Sequence, residues 1–314
     1  MRFVFSSPDE GGKIAVEFDP SMVEWKSQNF GQFVPEGVYF EELGRRLFVK
    51  RLRSRPSSYG FLKSHIEKPC SPCVPRVYAV TEDDPGVRGY RSYIFYEQLE
   101  GATLDSLKGQ LEANNCREIL SGVCIALRDI NRSGYWHGDL DIKNVFIGKG
   151  VSDKIVRLID IDSCIPLEVK FRDYLNDGGR RPNVNERYWS YLALKCAPEK
   201  LMSLSGVQLS KGAFLYFCVD LFFFVGFPGR VMALSPRDID RIMSSKNNRY
   251  FGAGAVSAWE SAHDRLLAES GEDVPWKDVY RFAMEAFGFQ NGRPQGFIEG
   301  AIQSFKAALF GGNK

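Results

Sequence analysis

Two stretches decide how this chain is read: YWHGDLDIKNVFI, from Tyr135 to Ile147, and VRLIDIDS, from Val156 to Ser163. Each sets acidic residues inside an apolar frame. Short apolar runs of this kind read as buried strands, here Val145 to Ile147 and Val156 to Ile159. Asp139 precedes the first strand, Asn144 lies five residues after Asp139, and Asp160 closes the second strand sixteen residues beyond Asn144. A lone Asp would read as a turn residue, but placed before an Asn and an apolar strand that reading loses force. A carboxylate beside a hydroxyl can orient it and accept its proton. Asn and Asp oxygens are hard ligands suited to magnesium that bridges phosphates. The spacing therefore points to phosphoryl transfer, with Asp139 as base and Asn144 and Asp160 as metal ligands. His137 reads as a packed core histidine that supports the loop. Asp162 reads equally as a solvent-facing loop residue or as a second metal carboxylate.

Outward from this centre the chain changes character near Gly101. Before it, strands dominate: Val38 to Leu43 and Arg46 to Leu52 form a hairpin around Gly44-Arg45, and Val74 to Val80 and Ser92 to Glu97 are further strands, with one short helix at Tyr59 to Lys68. After it, Leu104 to Leu111 and Arg117 to Arg132 carry apolar residues at helical spacing, and from Ala197 onward the pattern is mainly helical. The expected plan is α+β with two lobes: residues 1–100 a β-rich, nucleotide-covering lobe, residues 101–314 a helical lobe, and a hinge at 97–101. Lys50, on the strand RLFVKRL, is placed to reach inner phosphates, and Glu67, on the short helix, is the candidate to pair with it.

Composition bounds the rest. The 314 residues supply ample core, and a net charge of +2 argues neither for nor against nucleic acid. The basic run Arg45 to Arg55 reads as a solvated hairpin without the aromatic interleaving of a nucleic-acid surface. Seven scattered cysteines, with one C-x-x-C at Cys70 and Cys73, fit reduced thiols better than a zinc site. The polar N-terminal stretch does not suit a signal peptide. The apolar run Ala213 to Phe227 carries Asp220 in its middle and reads as a buried core helix, not a membrane span. Cytoplasmic location is the expectation, and oligomeric state is left open.

These motifs, in this serial order, resemble the eukaryotic-type protein kinase superfamily across most of the chain. HGDLDIKN stands where that family has its catalytic loop, Asp160-Ile161-Asp162 where it has D-F-G, and Phe48-Val49-Lys50 at the end of its lysine strand. The resemblance implies that the backbone from Glu97 to Leu99 holds adenine, that Lys143 steadies the transferring phosphate, and that Asp220 anchors the catalytic loop's backbone. It also implies that Glu199, of Ala197-Pro198-Glu199, pairs with Arg293. The pattern departs at the glycine-rich loop, where Gly31 and Gly37 do not make G-x-G-x-x-G and Pro35 removes a backbone N–H. It departs again at Gly138, at Asp141 in place of a loop lysine, and at D-F-G, which lacks both Phe and Gly.

The expected activity is an ATP- and magnesium-dependent kinase acting on a protein hydroxyl, serine or threonine ahead of tyrosine. The first alternative, carried by HGDL and the I-D-x-D ending, is a small-molecule kinase of the antibiotic, sugar or lipopolysaccharide type. The second is a nucleotide-binding pseudokinase.

Overall fold

The computed structural model describes residues 2–6, 13–19, 26–27, 33–34, 38–52, 56–81, 92–111, 113–148, 155–169, 186–226, 235–244 and 253–286. Gly31, Gly37 and Arg293 lie outside the described residues.

The fold is α+β, with sheet in the N-terminal part and mostly helices beyond it, in a kinase-like two-lobe arrangement. Strands β1 (Arg2–Ser6) and β2 (Lys13–Glu17) form an antiparallel pair. The main sheet combines β3 (Lys26–Ser27), β4 (Phe33–Val34), β5 (Val38–Phe40), β6 (Arg45–Leu52), β7 (Val77–Val80) and β8 (Ser92–Glu97), with β6 and β8 at its centre. The expected hairpin is present. Its turn is a short 3-10 helix, Glu41–Leu43, closed by Gly44 at φ 58°, a left-handed conformation that glycine adopts without a Cβ penalty.

Strand β8 explains its own sequence. Successive strand side chains point to opposite faces, and both faces of β8 are covered. Tyr93 and Phe95 pack in an outer cluster with Phe18, Phe40, Leu47 and Val49, while Ile94 and Tyr96 join the principal core. Hence the four central residues, YIFY, are all bulky and buried and do not alternate with polar ones. The same alternation on β6 sends Leu47 and Val49 outward and puts Lys50 on the inner face, opposite Ile94 in the register.

Helix α1 (Tyr59–Glu67) packs against β7, touches the Ile161–Ser163 turn and buries Tyr59, Phe61, Leu62 and His65. Past the main sheet, β9 (Gly101–Thr103) pairs with β11 (Val145–Gly148), which pairs in turn with β12 (Val156–Leu158). Gly101 (φ 144°) allows this: an added Cβ would lie 2.1 Å from the Ile147 carbonyl oxygen. Of the helix expected over Leu104 to Leu111, only a 3-10 turn at Leu104–Leu107 forms. Helix α2 (Ala113–Arg132) starts earlier than its periodicity suggests and packs against β12. Gly122 sets their distance, since a Cβ there would sit 2.5 Å from that of Val156.

Strand β10 (Tyr135–His137) pairs with β13 (Cys164–Pro166). The remaining helices are α3 (Glu186–Lys195), α4 (Pro198–Ser203), α5 (Gly206–Gly226), α6 (Pro236–Met243), α7 (Ala253–Leu267) and α8 (Trp276–Ala286). Within α5, Gly206–Val225 is long and apolar enough to cross a membrane by composition, yet 89% of its apolar window is buried in the fold. It is the central helix that α2, α7 and α8 pack around.

Candidate active site

The two decisive stretches are stitched to one another by backbone. β10 runs into the catalytic loop and β13 leaves the Ile161–Ser163 turn, so their pairing sets the loop beside the turn. Gly138 N–H donates to the Ser163 carbonyl at 3.2 Å, and Ile159 N–H donates to the Asn144 carbonyl at 2.8 Å. His137 Nε2 lies 3.0 Å from the Ile159 carbonyl oxygen. Its ring is buried, and loss of hydration holds its pKa below the usual histidine value. That fits a structural histidine.

Within the loop, Asp141 caps the 3-10 turn Ile142–Asn144 by accepting from the Lys143 N–H at 3.2 Å. The cap gives Asp141 a local reason to stand where the resemblance would put a lysine. The Asn144 amide donates to Asp139 twice, to its carbonyl at 2.7 Å and to Oδ2 at 3.0 Å. That orients the Asp139 carboxylate and spends the nitrogen of Asn144. Among the described residues no protein donor engages the Asn144 Oδ1. Lys143 Nζ, largely exposed, stands 3.6 Å from Asp139 Oδ2. Burial pushes the Asp139 carboxyl above its ordinary value, with Lys143 and His137 offsetting part of the rise. Asp139 also feels the charge of Asp160.

Asp160 has φ 63° and ψ 37°, and among the described residues it alone of the non-glycines has positive φ. An L-residue held there costs on the order of 1–2 kcal/mol, and such strain persists where the surroundings fix it. Its Oδ1 accepts from Lys50 Nζ, while Oδ2 receives a long 3.3 Å contact from Ser163 Oγ. Lys50 Nζ also donates to both oxygens of Asp162, each at 2.8 Å. The Tyr96 hydroxyl donates to Asp162 Oδ1 at 3.1 Å, and Ser58 Oγ donates to the Asp162 carbonyl at 2.9 Å. Burial alone would raise both carboxyls. At Asp160 burial is the largest single influence, but the charge and hydrogen bond of Lys50, with His137, together outweigh it and bring the pKa to about 2. At Asp162 burial and the neighbouring Asp160 prevail over Lys50, and the value rises to about 6. One ammonium shared by two carboxylates leaves a net negative charge in the cluster.

Two expectations about partners are corrected, those for Glu67 and Asp220. Glu67 does not pair with Lys50: it is exposed at the last position of α1, whereas Lys50 is buried against Asp160 and Asp162. Asp220 does not hold the catalytic loop's backbone among the described residues. It accepts from Arg187 Nη2 at 2.7 Å, and Arg187 Nη1 lies 3.9 Å from Asp141 Oδ2, so the link to the loop runs through a side chain of α3. At the hinge, the Glu97 N–H donates to the Arg76 carbonyl at 2.8 Å and is not free for adenine. The Glu97 side chain faces Arg157, 4.0 Å away, and Leu99 is half-buried beyond the end of β8. Glu199 is exposed in the first turn of α4.

Sequence reading missed Ser58, Tyr96 and Arg187. Ser58 and Arg187 lie in no motif, Tyr96 lies in the strand that leads into the hinge, and each meets its partner only across elements. Asp162 carried a signal, an Asp two residues after Asp160, but not its partner.

Residues 73–173 match the Lipopolysaccharide kinase (Kdo/WaaP) family, a branch of the protein kinase-like superfamily. The chain is kinase-like. The matched segment runs from the loop before β7 through the catalytic loop and the Asp160 turn, so it spans the chemical centre of the site. It supports phosphoryl transfer and ATP as donor, and it favours the small-molecule alternative over a eukaryotic-type protein kinase. No curated protein matches the chain.

Proposed function

We propose that this chain is an ATP-dependent sugar kinase of the lipopolysaccharide-kinase type, which phosphorylates a hydroxyl of an acidic glycan. The family match over residues 73–173 carries the reading. Two features of the site support it. Asp139 is reached beside an exposed cation, Lys143, which suits an anionic acceptor. Asp160 and Asn144 each keep an oxygen free of strong protein bonds, which suits a magnesium ion held by few side chains plus phosphates and water. Magnesium, when bound, would neutralise charge on the phosphates.

The protein's own residues divide the remaining work. Asp139 orients the acceptor hydroxyl and takes its proton as the hydroxyl oxygen bonds to the γ-phosphorus and ADP leaves. Asn144 holds Asp139 in that orientation. Lys50 binds inner phosphate oxygens, and Lys143 meets the transferring group or the acceptor's own negative charge.

The test is transfer of labelled phosphate from ATP with magnesium to three acceptors in parallel: lipopolysaccharide core oligosaccharide, a panel of neutral sugars and aminoglycosides, and mixed proteins. Transfer to the oligosaccharide, lost in Asp139→Ala, is expected. Transfer only to protein would restore the protein-kinase reading, and nucleotide binding without transfer to anything would make the chain a pseudokinase.

A further inference from the structure

The buried cluster at Lys50 holds two carboxylates that differ in every respect that matters for their use. Asp162 has 4% of its side chain exposed, and both its oxygens accept from Lys50. Tyr96 of β8 and Ser58, ahead of α1, hold it from two other elements. Asp160 has 23% of its side chain exposed and only one oxygen on Lys50. Its other oxygen, Oδ2, has only the 3.3 Å contact from Ser163 Oγ and is the one that a metal could take. Asp162 has no open side from which a metal could approach.

Helix α1 cannot substitute. Its sequence, YGFLKSHIE, contains one acid, Glu67, at its far end and exposed, while the buried face is Tyr59, Phe61, Leu62 and His65. The helix is also fixed in place. His65 Nε2 lies 3.0 Å from the Pro75 carbonyl oxygen, its Nδ1 accepts from Cys70 N–H at 3.1 Å, and the Phe61 ring lies 5.1 Å from that of Tyr135.

Building on the phosphotransferase reading, we propose that Asp162 is the positioning residue for Lys50, taking the part of a helix carboxylate, and that Asp160 alone of the two serves the metal. The lysine is then set by the Ile161–Ser163 turn of the large lobe and not by α1. It stays aimed whether or not Asp160 is engaged elsewhere. No acid of α1 is then needed to aim the lysine.

Two readouts separate the roles: calorimetric affinity for ATP in EDTA, and the gain in affinity on adding magnesium. Asp162→Asn should weaken metal-free binding by about tenfold, the order expected on losing a charged hydrogen-bond partner, while the magnesium gain persists. Asp160→Asn should keep metal-free binding and lose the gain. In a Lys50→Met background, Asp162→Asn should add nothing further, as a residue acting through Lys50 requires. Glu67→Gln should bind as wild type.

Wild-type metal-free affinity in Asp162→Asn, loss of the magnesium gain in that variant, or an additive effect with Lys50→Met would each overturn the assignment. If Asp162→Asn does not fold, Tyr96→Phe decides: about threefold weaker metal-free binding with an intact magnesium gain is expected, and binding equal to wild type overturns the proposal. A wild-type chain that binds no adenine nucleotide would instead overturn the phosphotransferase reading on which this one rests.

Discussion

The two halves of the candidate site are built on opposite principles. Around Lys50 the charges are buried, and four elements close over them: β6, β8, the Ser58 turn and the Ile161–Ser163 turn. Around Asp139 the carboxylate is oriented by one amide, and the nearest cation, Lys143, is mostly in solvent. A nucleotide's inner phosphates are the same in every turnover, so the groups that meet them can be fixed and dehydrated, where charge interactions are strong. The proposed glycan acceptor needs room, and on that side Lys143 stands largely in solvent, although the Asp139 carboxylate itself is only 13% exposed. The contrast lies in the cations: Lys50 is enclosed and fixed by several partners, while Lys143 is exposed.

The sharpest way to break this comparison is Asp139→Asn. If Asp139 does chemistry and little packing, kcat falls by about 10²–10⁴-fold while the melting temperature and ATP affinity hold. A large loss of stability would make the open half structural after all. Lys50→Met comes next and tests the closed half. It should cost about a hundredfold in kcat/KM, expressed mainly in KM for ATP. It should also lower the melting temperature, because two buried carboxylates lose their cation. Unchanged stability there would mean that water reaches the cluster.

A smaller effect is expected at Lys143→Ala: about tenfold in kcat/KM, concentrated in KM for an anionic acceptor. This variant also carries a pH signature. Burial raises the Asp139 carboxyl and Lys143 pulls it back down, so removing Lys143 should move the acid limb of the rate profile to higher pH. A limb that stays put would dissociate Lys143 from Asp139. The smallest effect is predicted away from both halves. His263 is stacked on Trp259 and buried, and loss of hydration, with Lys195 and Lys200 nearby, lowers its pKa to about 3. The unfolded chain takes up this proton near the ordinary histidine value and the folded one does not. Stability is therefore intact above that value and falls as pH drops towards 3. His263→Phe should flatten this acid slope in urea titrations, leaving activity at neutral pH unchanged.

How much of this is legible in the sequence depends on the range of the interaction. The hairpin at Gly44, the strand Ser92–Glu97, the helix from Tyr59 and the buried helix around Asp220 follow from periodicity and turn chemistry, which act within a few residues. The partner of Lys50 does not follow. Glu67 is the natural candidate because acids on helices often pair with lysines, yet nothing in a nine-residue helix says which face its last residue takes. The partner of Asp220 is Arg187, 33 residues earlier and outside any motif. The substrate class is divided in the sequence itself: the serial order of motifs leans towards a protein acceptor, and HGDL with I-D-x-D towards a small molecule. The family match tips that balance.

What the sequence alone determined is the chemical inventory and its order: an Asp–Asn pair, a second Asp after a short strand, a strand lysine and an apolar helix to build around. Apolar patterning commits each segment before any distant contact forms. What only the tertiary structure decided is which charges meet. Burial makes an unpaired charge too costly to leave, and the partner it finds is whichever opposite charge the packing of β6, α1 and the Ile161–Ser163 turn brings within reach. For Lys50 that is a pair of aspartates more than a hundred residues away, and not the glutamate seventeen residues along the chain.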